Sequence, residues 1–194
     1  VGFLDPSYPE WRRRAGLRPA EHPGIDLNLL GTSGDQDLGY PVVAIADGVV
    51  RAARPYAVWG NIVLVEHPEL AGWLNLPYLA SQYAHLHQVC VEVGQRVWAG
   101  EPVGSIGKGD PRAPFLAHLH FEIRRAEMDP DAWPGIDRAT IQRNYVDPAA
   151  FLKQYGNPTR RFVRATSRLY SEPGVGVVII NLEDPYTAHI RWGK

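Results

Sequence analysis

The chain has 194 residues, 45% of them hydrophobic, and its 20 basic and 21 acidic side chains leave a formal net charge of -1. A balance so close to neutral gives no electrostatic case for nucleic acid or an anionic membrane surface, and no apolar run approaches the ~20 residues of a membrane span. The single cysteine, Cys90, excludes an internal disulfide, while 19 Gly and 17 Pro among many Val-rich runs predict short strands joined by tight turns.

Residues 1–20 read as a polar N-terminal extension in which Arg12-Arg13-Arg14 forms a solvated face and Trp11 tucks onto the domain. From Ile25 the alternation is strict: Ile25, Leu27 and Leu29 turn inward, Asp26 and Asn28 the other way. His22 precedes Asp26 across Pro23-Gly24, a pair that bends the chain. An imidazole and a carboxylate at a strand entrance suit zinc, although the pair alone is unspecific. Residues 31–41 read as a loop, and Asp35 and Asp37 lack the spacing of a calcium loop, which predicts a solvated turn. Val42–Ala46 and Val49–Ala53 flank Asp47-Gly48, a strong hairpin signal. After a strand at Asn61–Glu66, residues 67–80 form a long aromatic connection whose Trp73 and Tyr78 are placed to wall a groove. Ser81–Val93 then alternates as one strand, with Tyr83, His85, His87 and Val89 on a common face.

The stretch Ala117–Ile123 sorts in the same way: Ala117, Leu119, Phe121 and Ile123 form a core stripe, and His118, His120 and Glu122 fall opposite. A half-buried strand with a polar outer face and a metal-binding strand both fit that pattern. Beyond it, residues 124–145 form a charged, Pro-broken surface excursion, and Asp147-Pro148 marks a helix start, with Asp as N-cap and Pro at the first position. Strands are expected at Gly176–Asn181 and Thr187–Trp192, and Asn157-Pro158 reads as a boundary. His67 and His189 stand alone in the sequence and read as surface histidines.

A catalytic zinc takes three protein ligands and keeps one position open for water, and nearby histidines then move protons. No Cys-x-x-Cys, Gly-x-Ser-x-Gly or phosphate-binding glycine loop competes with that chemistry in this sequence.

His22-Pro23-Gly24-Ile25-Asp26, Tyr83-Ala84-His85-Leu86, the Val93–Gly104 run and His118-Leu119-His120-Phe121-Glu122 occur together and in order. In these motifs the chain resembles the lysostaphin-type, LytM-like zinc metalloendopeptidases over roughly residues 20–152. The resemblance implies an all-β fold, a small antiparallel β-sandwich (a lipoyl-like barrel-sandwich hybrid) with an active-site groove, plus a short helix and a C-terminal β extension. It implies hydrolysis of peptide bonds in bacterial cell-wall peptidoglycan, outside the cytoplasm, with one Zn2+ as cofactor. Position by position, His22, Asp26 and His120 match the metal ligands, and His85 and His118 match the two catalytic histidines. Glu122 is expected to be solvated rather than to orient an imidazole.

The loop before His118, with Pro114-Phe115-Leu116-Ala117, and the 67–80 connection depart from the family pattern and are expected to border the groove, with Trp73, Tyr78 and Tyr83 as its candidate walls. His87 repeats the His-Leu-His pattern, but the Tyr-x-His-Leu match favours His85. The domain organisation expected is an extension at 1–20, a peptidase domain at 21–156 and a C-terminal extension or small module at 157–194. The rival is a catalytically silent relative that binds the wall or regulates other hydrolases. A lipoyl- or biotin-carrier domain is disfavoured, because no Lys lies between Val1 and Ser105 to carry the group.

Overall fold

A computed structural model describes residues 1–112, 114–133 and 135–155, together with the backbone of two later strands. Its elements in chain order are α1 (Tyr8–Arg14), β1 (Ile25–Leu29), β2 (Pro41–Val43), β3 (Gly48–Tyr56), β4 (Gly60–Glu66), α2 (Pro68–Trp73), β5 (Ala80–Leu86), β6 (Arg96–Val97), β7 (Pro102–Ser105), β8 (Leu119–Arg124), α3 (Arg138–Asn144), β9 (Tyr145–Val146), α4 (Pro148–Tyr155), β10 (Gly176–Ile180) and β11 (Thr187–Trp192). One sheet runs in the order β10-β11-β1-β8-β5-β4-β3-β6, with β9 added beside β8, and β2 and β7 form a separate ribbon. Among the described residues every strand pairing is antiparallel except that of β1 with β11. The fold is thus the all-β, antiparallel architecture that the motifs implied.

Alternation gives the sheet two faces with different chemistry. Ile25, Leu27, Val50, Val63, Val65, Tyr83, Phe121 and Ile123 turn to one face, where Val42 and Val103 of the ribbon, Leu70 of α2 and Phe151 and Leu152 of α4 cover them. Full burial of each such side chain is worth about 1.5–3 kcal/mol, so this face supplies most of the drive to fold. The register then fixes what lies opposite. In β8, flanked by β1 and β5, His120 stands directly across from Asp26 on one side and Ala84 on the other. Directly opposed residues project to the same face, so Asp26 and His120 meet on the side away from the core.

Several expectations fail for identifiable reasons. Asp47-Gly48 does not turn β2 into β3; β2 pairs with β7, and β3 with β4 and β6. Gly48 is needed instead for close approach, since a Cβ there would lie 2.4 Å from the Glu66 carbonyl oxygen. The Asp47 side chain accepts from the Ala99 amide. The strand predicted over 81–93 ends at Leu86, because His85 has a positive φ of 65°. The 67–80 connection holds a helix, α2, started by Pro68.

His67 is fully buried rather than a surface residue. It donates from Nδ1 to the Asp47 carbonyl (2.8 Å), and Ser81 Oγ bridges its Nε2 (2.8 Å) and the Tyr83 hydroxyl (2.9 Å). Asp37 is likewise buried, accepting from the Asn28 side chain and the Leu29 amide, so the 31–41 loop is pinned rather than solvated there. The helix start at Asp147-Pro148 is as expected, with the Asp147 carboxylate accepting from the amides of Ala149 and Ala150. The Asn157-Pro158 boundary and the side chain of His189 lie outside the described residues.

Candidate metal centre

Three donors converge where β1 meets β8. His22 Nε2 and His120 Nδ1 are 3.2 Å apart, Asp26 Oδ1 is 3.2 Å from His22 Nε2, and Asp26 Oδ1 is 3.0 Å from His120 Nδ1. Zinc–nitrogen and zinc–oxygen bonds of ~2.0–2.2 Å in a tetrahedron place neighbouring donors ~3.3–3.5 Å apart, so these atoms outline one face of such a tetrahedron. The donor set, two imidazoles and one carboxylate, fits a divalent zinc and leaves its fourth position open.

The far nitrogen of each ring is committed, which fixes the tautomer and aims the lone pair inward. His22 donates from Nδ1 to the Gly2 carbonyl (2.9 Å), and His120 donates from Nε2 to Glu122 Oε1 (3.0 Å). Glu122 is fully buried, contrary to the solvated position expected of it, and the physical reason is Arg124. The Arg124 guanidinium, itself buried, donates to Glu122 Oε2 (2.8 Å) and to the carbonyls of Asp129 and Pro130. A line Asp26–His120–Glu122–Arg124 therefore runs beneath the centre, with Arg124 two residues beyond Glu122 on the same strand face.

The electrostatics favour a positive charge at the triangle. Burial opposes protonation of His120, but the Asp26 and Glu122 carboxylates outweigh it and hold its pKa up at about 9. Burial also works against the Asp26 carboxylate, yet the adjoining His22 and His120 keep it well below the usual carboxylate range. Two carboxylates flanking one imidazole, Glu122 fully buried and Asp26 half-buried, are surroundings that stabilise a bound cation.

Gly24, midway between His22 and Asp26, explains the spacing of that motif. A Cβ there would lie 2.3 Å from the Phe121 carbonyl oxygen, 2.9 Å from Glu122 Cγ and 3.1 Å from His120 Nε2. The bend must press against β8 for the three ligand candidates to meet, and only glycine permits it.

His85 and His118 stand at the open side. Their ring centroids are 4.8 Å apart, and His85 is 5.6 Å from His120. His118 Nε2 lies 3.7 Å from Asp26 Oδ1. His85 donates from Nδ1 to the Trp59 carbonyl (2.9 Å), and His118 from Nδ1 to the Leu116 carbonyl (2.7 Å). Burial, with the neighbouring His120 and His118, pushes His85 down to about 3, and burial also lowers His118. Both rings are thus neutral at neutral pH, each presenting a bare Nε2.

His85 reaches this face only because of its left-handed backbone. Tyr83 opposes Phe121 on the core side, so strict alternation would have sent His85 into the core as well. The positive φ breaks the alternation, and Gly107 packs against the bend, where a Cβ would meet the His85 carbonyl oxygen at 2.2 Å and the His87 nitrogen at 2.3 Å. His87 is consequently exposed and has no contact with the other histidines among the described residues. The shared face expected for Tyr83, His85 and His87 does not exist.

The walls of the centre differ from those anticipated. Tyr83 is 1% exposed, and its hydroxyl accepts from the Ile45 amide inside the core, so it is no groove residue. Trp73 is half exposed and its ring meets that of Tyr155 of α4 at 5.9 Å, beside the helix that covers the core face. Tyr78 packs on Ala52, Leu64 and Ala80, and Ala80 pairs with Arg124, four residues along β8 from His120, ~13 Å at the usual strand rise. The rings that do border the centre are Trp59, 5.1 Å from His120, Tyr8, 4.9 Å from His22, Trp133, 5.0 Å from Trp59, and Phe115, 5.0 Å from His85. Phe115 belongs to the loop before His118, which borders the site as anticipated. Trp11, expected to tuck onto the domain, is half exposed and stacks on Tyr8.

The model of Peptidase family M23 matches residues 20–132. The chain belongs to that family. Over 105 residues it is 35% identical to the cell division protein DipM of Caulobacter vibrioides (strain NA1000 / CB15N), which covers 53% of this chain and 15% of DipM. It is 33% identical over 107 residues to the peptidoglycan DD-endopeptidase ShyA of Vibrio cholerae, covering 55% of this chain and 21% of ShyA. With the murein hydrolase activator EnvC of Escherichia coli (strain K12) the identity is 34% over 99 residues, covering 50% and 21%. The chain spans less than a quarter of the length of these M23 relatives. The solution structure of lysostaphin shares the fold, with a TM-score of 0.50 at 24% identity, covering 70% of this chain and 44% of that one.

Proposed function

We propose that this M23 chain is a zinc-dependent endopeptidase that hydrolyses peptide bonds of bacterial cell-wall peptidoglycan, outside the cytoplasm. The observation that carries this reading is the donor triangle of His22, Asp26 and His120, open on the side where His85 and His118 present bare nitrogens. The peptidoglycan DD-endopeptidase ShyA, at 33% identity, supports the substrate class. No helix among the described residues is long and apolar enough to cross a membrane.

His22, Asp26 and His120 would hold the ion. Bound there, zinc supplies a Lewis acid that polarises the scissile carbonyl and lowers the pKa of water to ~7. The residues of the chain do the rest. Gly2 and Glu122 keep the two ligand rings in the tautomers that face inward. His118, neutral and with Nδ1 committed to Leu116, accepts the proton of the attacking water at Nε2. The imidazolium so formed stands beside the developing oxyanion and returns the proton to the departing amine. His85, held neutral by its burial and with Nδ1 given to the Trp59 carbonyl, offers its bare Nε2 as a hydrogen-bond acceptor that orients the attacking water, without taking up a proton itself. Trp59 and Phe115 exclude water from the flanks.

The test is mass analysis of fragments released from purified peptidoglycan by the zinc-loaded protein, with and without chelator. Chelator-sensitive release of peptide ends is the expected result. Similarity to EnvC supplies the second reading: a protein that releases nothing itself but accelerates an added wall hydrolase, chelator or not, would be an activator, and the peptidase reading would be lost.

A further inference from the structure

Two segments at the margins of the family match, the N-terminal extension and the excursion after β8, meet over the metal centre. The Arg12 guanidinium carbon lies 5.6 Å from the centre of the Tyr8 ring and 5.4 Å from that of Trp133. Each ring leads to a ligand candidate: Tyr8 is 4.9 Å from His22, and Trp133 is 5.0 Å from Trp59, which is 5.1 Å from His120. Arg12 uses Nε to donate to the Arg18 carbonyl (2.7 Å) and Nη1 to reach the Tyr8 hydroxyl (3.3 Å). Its Nη2 makes no hydrogen bond, and no carboxylate pairs with it, among the described residues. The neighbouring arginines differ: Arg13 and Arg14 both bind Glu10, and Arg138 binds Glu21. The solvated basic face expected of this run therefore splits, with Arg12 turned toward the centre and the other two turned away.

We propose that Arg12, held between Tyr8 and Trp133, is a subsite for a carboxylate of the peptide substrate; the proposal rests on the peptidase reading above. A guanidinium is charged at every working pH, is weakly hydrated and offers paired N–H donors that match a carboxylate. Its two ring contacts and the Arg18 carbonyl fix the side chain in advance, so little rotamer freedom remains to be lost on binding. Two ring-to-ring steps separate it from His22, and an extended chain advances ~3.3–3.6 Å per residue. The carboxylate it selects thus lies within about three residues of the scissile bond. Arg12 is itself only half-buried and Trp133 beside it is 37% exposed, so the guanidinium stays in contact with solvent.

The experiment uses a cross-linked stem-peptide dimer purified from bacterial walls in two forms, one with its carboxylates free and one with them converted to carboxamides. With zinc-loaded wild-type protein, KM for the free form is expected to be about tenfold lower than for the carboxamide form, the scale of one charge-assisted hydrogen-bonded pair. Arg12→Gln is expected to collapse that ratio toward one, through KM rather than kcat. Arg12→Lys restores only part, because the ammonium keeps the charge but not the fork. If Arg12→Gln weakens both forms alike, Arg12 merely holds the 12–18 turn together and the proposal falls; an unchanged ratio overturns it as well. Calorimetric titration of both forms into both proteins reads the same ratio as binding. Absence of hydrolysis would therefore count against the peptidase reading while this ratio still decides the subsite.

Discussion

The tripeptide His-Leu-His occurs twice, at 85–87 and at 118–120, and the two copies are used differently. At the entrance to β8 the alternation holds, and both rings emerge on the face opposite the core, one toward Asp26 and Glu122, the other toward the open side. In β5 the left-handed turn at His85 brings that ring to the same face, and His87 is left exposed. A left-handed non-glycine residue costs of order 1 kcal/mol, and such strain persists only where the surroundings over-determine it. Here the Gly107 backbone pressing on 85–87, the bond from His85 to the Trp59 carbonyl and the ring of Phe115 do so. Identical side chains thus acquire separate surroundings from one backbone dihedral.

The largest expected effect breaks the equivalence outright. His120→Ala should remove zinc and hydrolysis together, measured as metal content after dialysis and as fragment release, whereas His87→Ala should leave both near wild type. If His87→Ala abolishes activity, the two copies are used in the same way and the site described above is wrong. Next in size is His118→Ala. Loss of a residue that accepts the water's proton should lower turnover by about 10²–10⁴ while zinc content stays near one ion per chain.

How far this site could be read in advance depended on whether a residue's role was local. Asp26 and His120 were legible because each lies in a strand whose alternation also names its face, and the sheet register then brought them opposite one another. Tyr83 belongs to the core and His85 to the opposite face because alternation does not extend through His85, and nothing in the local sequence announces a positive φ there. His67 and Asp37 were placed at the surface because their partners, Ser81 with the Asp47 carbonyl and Asn28 with the Leu29 amide, come from other parts of the chain. Trp59, Trp133 and Tyr8 border the centre through contacts made only in the fold, and a ring flanking a metal centre has no spacing rule in sequence. Arg124 alternates with Glu122 and His120, a signal that was present, but a charged pair buried beneath a ligand looks in sequence like any polar strand face.

Smaller effects should follow from the supports of the β8 pair. Glu122→Gln keeps a bond to His120 Nε2 but removes the negative charge and leaves the buried Arg124 guanidinium without its carboxylate. Zinc affinity is expected to fall about 10–100-fold, measured by competition with a chromogenic chelator. Gly24→Ala should lie in the same range, because the added methyl group meets the Phe121 carbonyl and Glu122 at distances that force β1 away from β8. A Gly24→Ala protein that binds zinc as tightly as wild type would show that the bend between His22 and Asp26 is not what holds the ligands together.

The smallest effect concerns the core side of β5, where His67 serves as a purely structural counterpart to His85. Burial lowers the pKa of His67 below its ordinary value near 6.5, despite the pull of the Asp47 carbonyl. The unfolded chain therefore takes up a proton at higher pH than the folded one. Its contribution to stability is complete above ~6.5 and is lost as pH falls from there toward the folded value, at up to about 1.4 kcal/mol per pH unit. His67→Gln keeps a polar contact to Ser81 but cannot titrate. Thermal unfolding of both proteins between pH 7 and 5, in chelator so that metal release does not intrude, should show a shallower decline for the variant. His85 and His118 also resist protonation, but they are present in both proteins and cancel in the comparison. Equal slopes would mean that His67 accepts its proton in place, with Ser81 Oγ turning to receive it, and that the Ser81–Tyr83 link holds β5 without help from a neutral imidazole.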